Sequence, residues 1–212
     1  MSVLTRQILE QLDYVSSNKL VEYIFKKYHK FDYKAVSRLS PPFEKIVFNA
    51  YCDETDEIIG TITLTRPNEK KIFPSNFYFG FKTPSYVDLA TTLEMGRLVK
   101  SDKPEHKNND AYIYISLLLA VKAYSQLKGI TRWVASVHNN LLQNILNLGI
   151  PVEIIATEPL RMESSIREGM GNYPNNVNFI TATMADSFKA LEKFQYLIDD
   201  GKITIEINKP AL

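Results

Sequence analysis

Leu93-Glu94-Met95-Gly96-Arg97-Leu98-Val99 decides how this chain is read, because it places one acid and one base inside an otherwise apolar run beside a glycine. With Thr91, Thr92 and Lys100 around it, the run predicts a strand over residues 91–100. Side chains three apart on a regular strand face opposite sides, so Glu94 and Arg97 diverge unless an extra residue intervenes. A β-bulge at Gly96 supplies that residue and brings both charges to one face, and glycine makes the bulge cheap. The same bulge frees a backbone N–H around Met95 and Gly96, able to hold a carbonyl oxygen as an oxyanion donor does. Two plainer arrangements use the same residues: a buried ion pair, or an edge strand with two solvated charges.

Upstream, Lys45–Cys52 and Ile58–Thr65 read as strands of a hairpin across the polar turn Asp53–Glu57, and Thr61, Thr63 and Thr65 alternate with Ile62 and Leu64. Residues 66–89 read as a long loop, punctuated by Pro67, Pro74 and Pro84 and loaded with Phe73, Phe77, Tyr78, Phe79, Phe81 and Tyr86. Such a loop is either a hydrophobic flap over the core or one wall of an apolar ligand site. Nearer the N-terminus, Val3, Leu4, Ile8, Leu9 and Leu12 recur at helical spacing. Leu20, Val21, Ile24, Phe25 and Tyr28 do so again after the N-cap-like Ser16-Ser17-Asn18, which predicts two helices before Pro41-Pro42 breaks the chain.

Downstream, the polar stretch Lys100–Asp110 runs into a helix over about 111–127 that is apolar on nearly every side and is closed by Gly129. Ile130–Val137 is a buried strand with the sole tryptophan, Trp133. Asn139-Asn140 caps a short helix ending at Gly149, and strands at Val152–Thr157 and Val177–Thr183, a helix at Asp186–Leu197 and a terminal strand at Ile203–Ile207 complete the chain. The order implies an α/β (α+β) fold: one mixed central sheet, parallel in its later half, with helices on both faces. One domain over 1–212 is expected, with N-terminal helices in 1–30, a core over 43–183 and a C-terminal helix and strand over 185–207.

The 212 residues carry 25 Lys plus Arg against 24 Asp plus Glu, a net charge of +1, which disfavours whole-surface attraction to nucleic acid or anionic lipid. Cys52 is the only cysteine, so no intramolecular disulfide or cysteine-built metal site is available; the reading is a cytoplasmic protein with a small core cysteine. No signal peptide is expected, and the longest apolar run, Ala111–Val121, is about half the roughly 20 residues of a membrane span. Walker-type, Gly-x-Gly-x-x-Gly, His-Glu-x-x-His and Gly-x-Ser-x-Gly motifs are absent, and His29, His106 and His138 are too scattered in sequence to predict a metal site. Lys100, Lys103, His106 and Lys107 ahead of a helix N-terminus form either an anion site or a solvated loop diluted by Asp102, Glu105 and Asp110.

Gly60-Thr61-Ile62-Thr63-Leu64, Phe73-Pro74-Ser75-Asn76-Phe77, Glu94-Met95-Gly96-Arg97-Leu98-Val99, the apolar helix and Ser136-Val137-His138-Asn139, taken in that order, resemble the GNAT acyltransferase superfamily. The branch it looks most like is the N-acyl amino acid synthases, which are similar to the acyl-homoserine-lactone autoinducer synthases. That resemblance implies a GNAT-like fold and transfer of a long-chain acyl group from the phosphopantetheine thioester of an acyl carrier protein, or of CoA, to an amino acid amine. Glu94 then corresponds to the acid that assists amine deprotonation, Arg97 holds Glu94 ionised or grips the acceptor carboxylate, and the backbone at Met95 to Arg97 polarises the carbonyl. Lys100, Lys103, His106, Lys107 and Asn109 would meet the carrier and its pantetheine arm, while Phe25, Phe73, Phe77, Phe79, Phe81, Trp133 and Val137 would line the acyl and acceptor pocket. No tightly bound cofactor or metal is implied.

Two departures shape the expectation. No glycine lies between Arg97 and Lys128, so the glycine-bearing diphosphate cradle usual in CoA-dependent relatives is missing, which favours a carrier protein as donor. Glu22-Tyr23-Ile24-Phe25 lacks the Arg that accompanies Trp in autoinducer synthases, which weakens lactone synthesis as the reading. A third possibility is a catalytically silent GNAT-like module that binds acylated carrier or a lipid amine.

Overall fold

The computed structural model describes residues 2–8 and 11–207; the side chains of residues 11–13 and 107–110 are outside that description. The described residues form one eight-stranded sheet in the order β6-β7-β5-β4-β3-β2-β1-β8. The strands are β1 (Val3–Gln7), β2 (Lys45–Cys52), β3 (Glu57–Thr65), β4 (Thr92–Lys100), β5 (Arg132–His138), β6 (Glu153–Ala156), β7 (Val177–Thr183) and β8 (Ile203–Glu206). Only β4–β5 and β1–β8 run parallel. The later half is therefore chiefly antiparallel, contrary to the sequence-based expectation, because β7 inserts beside β5 and pairs with it antiparallel over seven residues, with β6 outside it.

Residues 3–7 are a strand, not the start of a helix. The apolar spacing there is compatible with either period. What decides is that β2 is buried along nearly its whole length and needs a partner on each edge, which β1 supplies opposite β3. One helix, α1 (Gln11–His29), replaces the expected pair and runs through Ser16-Ser17-Asn18. Those residues serve the sheet instead of a cap: Ser17 Oγ donates to Asn49 Oδ1 at 2.8 Å, and Asn18 Oδ1 accepts from Arg97.

The aromatic segment, a loop by its sequence pattern, holds a helix, α3 (Pro74–Phe79). It starts on Pro74, whose missing N–H costs nothing at a first turn, and Phe73 N–H donates to Asn76 Oδ1 at 2.7 Å. It ends at Gly80 with φ 66°, where a Cβ would stand 2.6 Å from the Arg161 carbonyl. That combination of left-handed backbone and close approach admits only glycine.

Two apolar layers sandwich the sheet. On one face α4 (Asp110–Lys128) sets Ile113, Leu117, Ala120 and Tyr124 against Phe48, Ile62, Leu64 and Leu93. Its opposite side, Ile115, Leu118 and Leu119, is covered by Leu191, Leu197 and Ile203, which explains a helix apolar all round. On the other face Val21 and Phe25 of α1, Val36 of α2 (Tyr33–Leu39), Phe73, Phe79 and Phe81 pack with Ile166 and Met170 of the helix Ser164–Met170.

Candidate active site

Two irregularities meet on β4. Its ladder with β3 shifts register between Thr61–Val99 and Thr63–Gly96, so three steps on β4 oppose two on β3. The bulge predicted at Gly96 is present but centred elsewhere: Arg97 has φ 55°, while Gly96 has no positive φ and open space where a Cβ would be. A non-glycine residue held left-handed stores about 1 kcal/mol or more, which the surrounding contacts must over-determine. Glu94, Met95, Gly96 and Arg97 consequently all border one small cavity, of about 110 Å³, under α2 and α3.

The second irregularity is a split. β4 and β5 pair only through Thr92–Arg132, Leu93–Trp133 and Glu94–Val134. Past that point Met95–Lys100 and Ala135–His138 border opposite sides of a cavity of about 580 Å³, large enough for a drug-sized ligand. Its deep end is apolar, with Ile62, Leu118, Val121, Trp133 and Ile145. Its mouth is polar, with Asn139, Asn140, Asn144 and Lys100. Strand edges that lose their ladder turn backbone donors and acceptors toward this space.

Glu94 lies at the head of the split. It is 6% exposed, accepts Ser75 N–H at 3.0 Å on Oε2 and Ser75 Oγ–H at 2.7 Å on Oε1, and thus sits at the N-terminus of α3. Burial pushes its carboxyl up to about 7, against the opposing pull of the two Ser75 bonds. Ser75 Oγ is in turn 2.5 Å from Ser136 Oγ on β5. Sequence alone assigns no role to Ser75 or Ser136; the only local hint is a serine just inside a Pro-initiated helix.

Arg97 does not pair with Glu94, so neither the ion pair nor the expected role of holding Glu94 ionised is realised. Its guanidinium donates to Asn18 Oδ1 and lies 4.9 Å over the Tyr33 ring, while its Nε is buried without a hydrogen-bond partner. Among the described residues no carboxylate forms an ion pair with it. Lys45 borders the same small cavity, which therefore collects two cations and the rings of Tyr33 and Tyr78.

His29 and His138 stack at 4.6 Å at the wall of the large cavity, and Tyr173 meets both rings edge-on. Burial and the neighbouring His29 hold His138 down at about 4, so its imidazole is neutral at pH 7, with Nε2 buried and unpartnered. Tyr173 is pushed up to about 12, mainly by burial and secondarily by Glu94.

The predicted pocket residues divide. Phe25, Trp133 and Val137 border the large cavity. Phe73, Phe79 and Phe81 do not: they are buried in the core on the other face, with Phe77 packed against it, and Phe79 alone touches the small cavity. The α3 helix turns these rings inward, so they hold the helix down and do not form the expected acyl slot.

The predicted basic patch also divides. His106 is buried, with Nδ1 3.0 Å from Ser101 Oγ, and is withdrawn from any surface contact. Lys103 pairs with Glu57, and Asp102 takes Lys27 Nζ at 2.5 Å and Tyr28 O–H at 2.9 Å. Lys100 borders the large cavity; the side chains of Lys107 and Asn109 lie outside the described residues. Cys52 is buried.

No protein-family model matches the sequence, nor does any curated protein. Solved structures do match. An acetyltransferase of the GNAT family from Staphylococcus aureus is similar with a TM-score of 0.51 at 10% identity, covering 85% of this chain and 99% of that one. The fold is that of the GNAT acyltransferases. Within the GNAT fold, FeeM, an N-acyl amino acid synthase from uncultured soil microbes, matches with a TM-score of 0.60 at 13% identity over 92% of this chain and 97% of that one. The CoA-dependent acyl-homoserine lactone synthase BjaI, solved with SAM and isopentyl-CoA, gives 0.62 at 14% over 100% and 96%. The acyl-homoserine lactone synthase LasI gives 0.64 at 14% over 90% and 94%. The GNAT likeness read from the Glu94–Val99 segment is thus a likeness of the whole architecture.

Proposed function

We propose that this protein is an N-acyltransferase that moves a fatty acyl group from the phosphopantetheine thioester of an acyl carrier protein to the amine of an amino acid. One observation carries the reading: a buried carboxylate poised near neutrality borders a small cavity that collects two cations, at the head of a strand split that opens into a large cavity with an apolar wall. The thioester enters the large cavity from its polar mouth, with its acyl chain running toward Leu118, Val121 and Trp133. The amino acid enters the small cavity, its carboxylate held by Arg97 and Lys45.

Chemistry follows from these positions. An ammonium cannot attack a carbonyl, so the acceptor first sheds one proton to solvent, and Glu94 takes the second as the nitrogen bonds to carbon, a task for which a pKa near 7 is well matched. The neutral nitrogen adds to the thioester carbon, backbone N–H groups around Met95 to Arg97 hold the developing oxyanion, and the carbon–sulfur bond breaks to give amide and thiol. No covalent enzyme intermediate is required. Support for a carrier protein over CoA comes from the segment between β4 and α4, where a 3₁₀ turn, Pro104–Asn109, stands in place of a glycine-bearing diphosphate loop.

Mass spectrometry of lipid extracts from bacteria expressing the wild type and Glu94→Gln tests the reading. N-acyl amino acids present only with the wild type support it and name both chain and acceptor. Acyl-homoserine lactones would replace the acceptor assignment, and unchanged extracts would return the protein to a binding module.

A further inference from the structure

Glu94 borders the small cavity, yet the leaving thiolate forms in the large one, and Glu94 does not line that space. Ser75 lines neither; it is 1% exposed and touches Glu94 on one side and Ser136 on the other. Ser136 borders both cavities. Three oxygens, separated by 2.7 and 2.5 Å, therefore bridge the wall between the site where a proton is collected and the site where one is needed.

With Glu94 ionised, the polarity of this bridge follows from the proton count. Ser75 has a single hydroxyl proton, and it is committed to Glu94 Oε1; the short contact with Ser136 then requires Ser136 to donate to Ser75. Every donor points toward the carboxylate, as suits an ionised Glu94. Once Glu94 is protonated it becomes a donor, and both hydroxyls can turn over together, leaving the Ser136 proton directed into the large cavity.

We infer that Ser136 is a catalytic acid, returning to the departing thiolate, through Ser75, the proton that Glu94 takes from the amine. This rests on the acyl-transfer function proposed above. The balance closes from the neutral amine, the ammonium having given its extra proton to solvent: the amine N–H proton goes to Glu94, the C–N bond forms and the C–S bond breaks. Glu94 O–H then passes its proton to Ser75 Oγ, Ser75 passes its own to Ser136, and Ser136 passes its own to sulfur. Glu94 ends ionised and both serines end as they began. Ser75 acts through its neighbours and is a positioning residue.

Leaving-group dependence tests the relay. Octanoyl-acyl carrier protein releases an ordinary alkyl thiolate, whereas an octanoyl 4-nitrothiophenyl ester releases one acidic enough to depart unprotonated. Both are assayed on the purified full chain, with an equimolar mixture of the twenty amino acids as acceptor and enzyme-free rates subtracted. Ser136→Ala is expected to lose roughly 10²-fold in kcat on octanoyl-acyl carrier protein and less than about threefold on the activated ester, with Ser136→Thr restoring most of the loss. Equal losses on both esters, or no loss on either, overturn the relay while leaving acyl transfer standing. A wild type inactive on both removes the function itself, and the relay with it. Should Ser136→Ala fail to fold, Ser75→Ala carries the same comparison, since it cuts the bridge from helix α3.

Discussion

The segments Glu94–Arg97 and Lys100–Asp110 are adjacent, and both stood out in the sequence for charge, but the fold treats them differently. In the loop, Lys103 finds Glu57 and Asp102 finds Lys27 and Tyr28, all near solvent. On the strand, Glu94 is buried against serines and Arg97 keeps an unpartnered Nε beside a cavity. Exposed pairs satisfy each other and contribute little, whereas a buried charge left without its opposite raises the energy of the folded state until a ligand supplies one. On this difference rests the proposal that substrate binds at the strand and not at the loop.

The largest effect expected from breaking this contrast is Glu94→Gln. It should cut acylation by about 10²-fold or more while leaving the fold intact. Because activity needs the carboxylate, wild-type kcat/KM should fall as pH drops through about 7. Stability runs the other way. The folded state holds the Glu94 proton more tightly than the unfolded chain does, so between about 4.5 and 7 rising pH costs roughly 3 kcal/mol. Glu94→Gln removes that cost, and thermal melts should show the variant gaining on wild type from pH 5 to pH 8. The comparison must be with the variant, since the depressed His138 contributes an opposite slope below about pH 6.5. A difference independent of pH would deny the buried charge.

Next in size is Arg97→Ala, expected to raise KM for the acceptor by about 10- to 100-fold with a smaller change in kcat, the scale of a lost charge-assisted contact. An unchanged acceptor KM would place the carboxylate elsewhere. Leu118→Trp, filling the deep end of the large cavity, should shorten the acyl chains in the product mixture. Phe73→Ala should instead cost about 3–5 kcal/mol of stability with the chain-length profile unaltered, because Phe73 is core and not cavity wall. The smallest effect belongs to the loop: Lys103→Glu should alter KM for carrier protein by less than about threefold, and that change should fade at high salt. A large, salt-sensitive increase would reinstate the patch as the docking surface.

The hairpin β2–β3, strand β4, helix α4 and strand β5 were legible because each buries a face whose period shows directly in apolar residues, as with Thr61, Thr63 and Thr65 against Ile62 and Leu64. β1 was not, since Val3, Leu4 and Ile8 suit a helix as well as a strand and the deciding factor is the vacant edge of β2, some 40 residues away. α3 was hidden by its prolines and aromatics, which look like loop punctuation until Asn76 and Gly80 are seen capping a short turn. Glu94 and Arg97 were legible as anomalies, charges in an apolar strand. Their partners were not.

By itself the sequence determined the pattern of strands and helices around β4, the absence of a nucleophile or metal motif of recognised spacing, and the acid and base that had to be explained. Only tertiary structure decided what they do, because the deciding contacts are non-local. Ser75 reaches Glu94 across 19 residues and Ser136 across 61, and Asn18 reaches Arg97 across 79. Periodicity reports which side of an element is buried and says nothing about which polar groups converge in that burial. The convergence is set where β7 inserts between β5 and β6, β4 parts from β5, α1 borders the opening and α3 covers the small cavity beside it.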